Sequence, residues 1–99
     1  PSADAYAALN RVRTRAGLTP AANLDYATFR EAVWQERRLE FAFEAQRRFD
    51  LLRTGRLLDA VKTENSFNRN ATIQPFHALL PIPQAEMDAN PNLKQNPGY

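Results

Sequence analysis

The sequence predicts a mostly α-helical chain with an irregular Pro/Asn-rich C-terminal tail, and three observations carry that reading. No Gly or Pro occurs between Ala22 and Thr54. Five of the seven prolines fall from Pro75 onward. In the proline-poor part, apolar residues recur at helical spacing, as Tyr6, Leu9, Val12 and Ala16 do in one stretch and Phe29, Ala32, Val33, Leu39 and Phe43 in another.

A first helix runs through Ala5 to Ala16, capped by Ser2 or Asp4 and stopped at Gly17, with Arg11, Arg13 and Arg15 nearing its negative end. After a link from Leu18 to Asn23, Asp25 or Thr28 can cap the main helix, and Glu31 completes a capping-box pattern with Thr28. That helix is placed at about residues 28 to 43. A further stretch from about Gln46 to Arg53 ends at Gly55, and a short one follows from Leu57 to Val61. Residues 62 to 76 read as polar loop, and Ala78 to Pro83 as extended chain, because each proline disfavours helix in the residue before it. Pro83 suits the first turn of a short helix through Met87, and the last nine residues are turns around Leu93. The 99 residues are expected to form part of one domain, with helices over 1–61 and loop and tail over 62–99.

Composition excludes several chemistries. With no cysteine there is no disulfide framework, thiolate nucleophile or Cys-type zinc site. Thirteen basic against 11 acidic residues leave a net charge of only +2, which makes no electrostatic case for nucleic acid. The longest apolar run, Ala5 to Leu9, is far below the roughly 20 residues of a membrane span. His77 is the only histidine and no Glu-x-x-His motif is present, so neither a metal nor a cofactor is expected. The Asp88-x-Asn90-x-Asn92 run imitates a calcium loop, but Leu93 replaces the turn glycine and Pro91 interrupts it.

The main helix carries an anomaly. Advancing about 100° per residue, Glu36 and Glu40 project among Phe29, Val33 and Phe43, while Trp34 and Phe41 mark a second apolar side. Carboxylates in such surroundings demand guanidinium partners, and Arg37, Arg38, Arg47, Arg48 and Arg53 are the candidates. One reading makes Glu36 and Glu40 a general acid and base of a hydrolase. The favoured one is an architectural ion-pair network of Glu36, Arg37, Glu40, Glu44, Arg47, Asp50 and Arg53, with no catalytic residue. Arg11, Arg13 and Arg15 cannot share one helix face and read as solvated or ion-paired. For ligand contact, only the loop from Asn65 to Phe76 offers an aromatic ring beside planar polar groups, with Phe67 and Arg69 as candidates.

Three ordered blocks carry a family resemblance. Leu9 to Leu18 reads LNRVRTRAGL; Glu36 to Glu44 reads ERRLEFAFE and is followed by Gln46-Arg47, Phe49-Asp50-Leu51 and Arg53-Thr54-Gly55. Leu80-Pro81-Ile82-Pro83, Glu86, Asn90-Pro91-Asn92 and Gln95 to Tyr99 close the chain. These resemble the C-terminal region of the SusD/RagB family, almost end to end. Phe41 stands where the family often has Leu, and Ala45 where it often has Gly, which argues against a sharp left-handed turn between the two helical stretches.

The resemblance implies a helical, tetratricopeptide-like lipoprotein of the outer membrane of Bacteroidetes-type bacteria. Such a protein takes up oligosaccharides, polysaccharides or other polymeric nutrients at the cell surface and delivers them to a SusC-like TonB-dependent transporter. This chain would then be a mainly architectural C-terminal fragment, not an enzyme, partnered by the remainder of its parent chain, which would carry the lipid anchor. A generic helical protein-interaction module is the alternative. Because the main helix is apolar on two sides, the piece is expected to cover itself poorly when alone.

Overall fold

The computed structural model describes residues 1–64 and 72–99. It is mostly α-helical: α1 spans Ala3–Arg15, α2 Tyr26–Glu40, α3 Arg47–Arg53 and α4 Leu57–Glu64, a 3-10 turn covers Pro75–Ala78, and α5 spans Gln84–Ala89. No strand occurs among the described residues. The chain divides into two compact units, Pro1–Arg47 and Arg48–Tyr99.

In the first unit α1 begins where Ser2, in extended backbone, accepts from the N–H of Ala5. It ends in a paired cap: Leu18 N–H reaches the carbonyl of Arg13 at 2.8 Å and Gly17 N–H that of Thr14 at 3.0 Å. The cap requires a left-handed residue, which Gly17 supplies at φ +74°. The following link runs back along α1 and is tied to it at three levels. Arg13 Nε donates to Thr19 O at 2.9 Å, and the Asn10 amide brackets Ala21, donating to its carbonyl at 3.0 Å and accepting its N–H at 2.7 Å. The Tyr6 hydroxyl likewise donates to Leu24 O and accepts from Leu24 N–H.

Because the link returns the chain to the start of α1, α2 sets off in the same direction as α1. Tyr6 meets Phe29 edge-on at 4.8 Å, and Arg13 meets Glu36 the same 23 residues further along the chain. Two parallel helices with a return strap are the result. Leu9 and Phe29 are the buried apolar residues between them.

Four expectations change here, the first only in where the helix starts, since Asp25 is one of the two expected caps. Asp25 caps α2, its carboxylate accepting from Thr28 N–H at 2.8 Å, so the helix starts before the Thr28 to Glu31 capping box. At its other end α2 stops at Glu40, and Phe43 lies beyond it at φ +68°, fully exposed instead of on the core face. Leu39, also expected in the core, is 55% exposed. The left-handed turn that the absence of glycine argued against does form: Ala45 adopts φ +59°. A non-glycine residue there costs of the order of 1 kcal/mol, which the surrounding chain evidently offsets.

The Asp25 cap is pH-sensitive. Hydrogen bonds, foremost from the backbone N–H of Thr28 and then from its side chain, hold the Asp25 carboxyl below the usual aspartate range. Its folded value lies below its unfolded one, so the cap stabilises fully above about pH 4 and loses its contribution as pH falls through the folded value. Asp25→Asn, which keeps a capping carbonyl without the charge, should flatten the loss of thermal stability in that acid window. Equal acid dependence of variant and parent would exclude the effect.

In the second unit α3 and α4 bury Leu51 and Leu57. Arg48 donates from α3 to the carbonyl of His77 at 3.1 Å. Helix α4 continues to Glu64, three residues past its expected end, and α5 begins after Pro83, which stands at the N-cap instead of inside the first turn. The tail is irregular but tied down. The Gln95 amide brackets Ile82, accepting its N–H at 2.8 Å and donating to its carbonyl at 3.0 Å. Asn96 donates to Leu80 O at 2.7 Å and the Tyr99 hydroxyl to Leu79 O at 2.8 Å. The Leu-Pro-Ile-Pro segment exposes backbone groups that no helix satisfies, and the closing Gln-Asn-Pro-Gly-Tyr segment supplies their partners.

Candidate functional site

Parallel packing of α1 and α2 leaves a groove of about 420 Å³ along the first unit. Its α1 wall is Ala5, Ala8, Leu9 and Val12, which the i, i+3, i+4, i+7 spacing brings to one helix face. Phe29, Val33 and Phe41 supply the apolar part of the other wall. The charged residues Glu36, Arg37 and Glu40 stand together toward the C-terminal ends of the two helices.

Each carboxylate is already engaged. Glu36, at 6% exposure the one buried charged residue among those described, accepts from Arg13 Nη1 at 2.8 Å. Arg15 Nη2 donates to both carboxylate oxygens of Glu40. Contrary to expectation Glu40 is not in the core: it is the last residue of α2, where the packing runs out, and a third of its side chain remains exposed. Both partners come from α1, whereas the expected candidates lay in the Glu36-to-Arg53 block. No buried side-chain polar atom among the described residues lacks a hydrogen-bond partner.

The other arginines of that block do different things. The Arg37 guanidinium lies 5.0 Å from the centre of the Phe41 ring. Arg53 pairs with Asp50 at 3.1 Å within α3. Arg47 is half-buried and Glu44 exposed. The signal that could have found Arg13 and Arg15 was their place in the last turn of a helix that precedes a carboxylate-bearing one. Two-residue spacing puts their Cα atoms on different faces, but long side chains at a helix end can still converge on carboxylates four residues apart.

Both carboxylates that line the groove are thus paired with guanidinium groups of α1, whereas acid and base work calls on a carboxyl free to exchange its proton with a bound substrate. No cluster of three or more His, Asp or Glu side chains able to hold a metal occurs among the described residues. His77 is occupied in its turn, Nδ1 accepting the N–H of Gln74 at 2.8 Å and its ring lying against Phe76. None of the described helices is long and apolar enough to cross a membrane. The ligand-contact candidates Phe67 and Arg69 lie outside the described residues.

The sequence model of the SusD family matches residues 1–99, the whole chain. Over 98% of its length the chain is 43% identical to SusD-like protein P25 of Formosa agariphila, of which it covers 20%. The chain thus spans about a fifth of the length of this curated relative. No solved structure matches it.

Proposed function

The chain belongs to the SusD family, and from that premise we propose that it is the architectural C-terminal part of a cell-surface protein that binds glycans or other polymeric nutrients. The complete protein, anchored by lipid in the outer membrane, would pass its cargo to a SusC-like TonB-dependent transporter. The observation that carries this reading is the family match across all 99 residues. Engagement of Glu36 and Glu40 by Arg13 and Arg15 supports a binding role over a hydrolytic one. In this reading Glu36 and Glu40 hold α1 to α2, and Arg53 with Asp50 fastens the end of α3. Arg37, Glu44 and Arg47 complete the set of structural charges.

Recognition itself belongs to the rest of the protein, with Phe67 and Arg69 as the contacts this chain could add. Electrophoresis of the complete protein through gels containing a neutral glucan, a polyuronate or a sulfated galactan tests the reading. Retardation by at least one polymer that is not shortened in the process is the expected result. Free migration through all three, or cleavage of the polymer, would overturn it. Alanine at both Phe67 and Arg69 should leave the retardation unchanged if recognition lies wholly elsewhere.

A further inference from the structure

We infer that the groove between α1 and α2 seats an amphipathic helix of the same polypeptide that lies outside these 99 residues. The inference rests on reading the chain as part of a longer SusD-family protein, and three observations converge on it.

The first is the shape and chemistry of the groove. Two parallel helices of 13 and 15 residues flank a trough about 20 Å long, which is the bed that a third helix occupies at the usual 8 to 10 Å separation. Ala5 and Ala8 keep the α1 wall low, so another backbone can approach closely, while Val12, Val33 and Phe41 give it apolar surface to cover. The acidic groups at one end are neutralised by Arg13 and Arg15, so an incoming apolar stripe meets no unpaired charge.

The second is burial within the first unit. Among its described residues Leu9 and Phe29 are the buried apolar ones and no large side chain is fully enclosed, although Val12, Val33 and Phe41 line the same groove.

The third is length, and it selects the occupant. A chain that covers 20% of a relative to which it is 43% identical has about four times its own length of polypeptide available from the same molecule. Such a segment is tethered, so it docks at high effective concentration, while a second copy or a free ligand pays the full entropic cost of association. The expected segment carries apolar residues at i, i+3 or i+4, and i+7, with at least one large side chain to fill the space above Ala8.

The test uses Ala8→Cys in the complete protein, with maleimide labelling at that position followed by peptide mass spectrometry. Under a seated helix the folded protein should label at least a hundredfold more slowly than the same variant unfolded in urea, without added glycan and independently of protein concentration. Ala8→Glu should lower the melting temperature by about 5 °C or more, since a charge would be forced beneath the docked helix. Labelling of folded Ala8→Cys within a few-fold of the unfolded rate would overturn the inference. Protection that disappears on dilution would assign the groove to a second copy, and protection that arises only with bound glycan would make it a ligand seat; either result also overturns it. Because the labelling needs no ligand, a failure of the nutrient-binding reading would leave the outcome unaffected and be recognised separately.

Discussion

Replacing Arg13 by alanine should destabilise the complete protein by about 3 to 5 kcal/mol, the cost of leaving a buried carboxylate without its partner. Glu36 is 6% exposed and accepts from Arg13 Nη1 at 2.8 Å, while Nε of the same guanidinium donates to Thr19 O at 2.9 Å. One side chain therefore joins α1, the return strap and α2. Lysine at position 13 should recover little, because a single ammonium lacks the planar fork that serves two acceptors at once. The control is Arg15→Ala, which breaks the more exposed pair to Glu40 and should cost about 1 kcal/mol or less. Urea unfolding of the three variants checks the series, and equal losses for Arg13→Ala and Arg15→Ala would refute burial as the source. Combining Arg13→Met with Glu36→Leu should restore much of the loss, since an apolar pair of similar volume is often as stable as a buried ion pair.

Gly98→Ala should have the second large effect, about 2 to 4 kcal/mol from backbone strain and overpacking together. Gly98 has φ +99°, and a Cβ there would collide with Cγ of Phe76, at the root of the ring where a small rotation brings no relief. The displaced ring would leave Tyr99, now met edge-on at 5.2 Å, and with it the bond from the Tyr99 hydroxyl to Leu79 O. The closing segment would lose its anchor. In a Phe76→Ala background the same substitution should cost only the backbone part, about 1 to 2 kcal/mol. A double-mutant cycle by calorimetry measures the difference, and strict additivity would sink the clash.

These two sites lie in different units, and each explains a family block in physical terms. The Leu-Asn-Arg-Val-Arg block supplies Asn10 for the strap and Arg13 for both strap and carboxylate. The closing block supplies the amides and the hydroxyl that satisfy the Pro-flanked segment.

Some of this was determined by sequence alone, because it depends on neighbours in the chain. Helical stretches followed from apolar spacing and from where Gly and Pro fall; the first helix stops beside Gly17 and the third beside Gly55. The ordered motifs carried the family. Glu36 was legible as inward-facing because Val33 and Phe29 stand one and two turns before it, whereas Glu40 shares the face but falls where α2 ends, a boundary that periodicity does not fix. Only tertiary structure decided which arginine meets which carboxylate. Partners are chosen by which helices lie side by side and in which direction, and that direction depends on Tyr6, Asn10 and Arg13 binding backbone groups 18, 11 and 6 residues away. It likewise decided that Ala45 adopts a left-handed conformation without glycine, since the cost of one such residue is small beside the packing of the segments it connects.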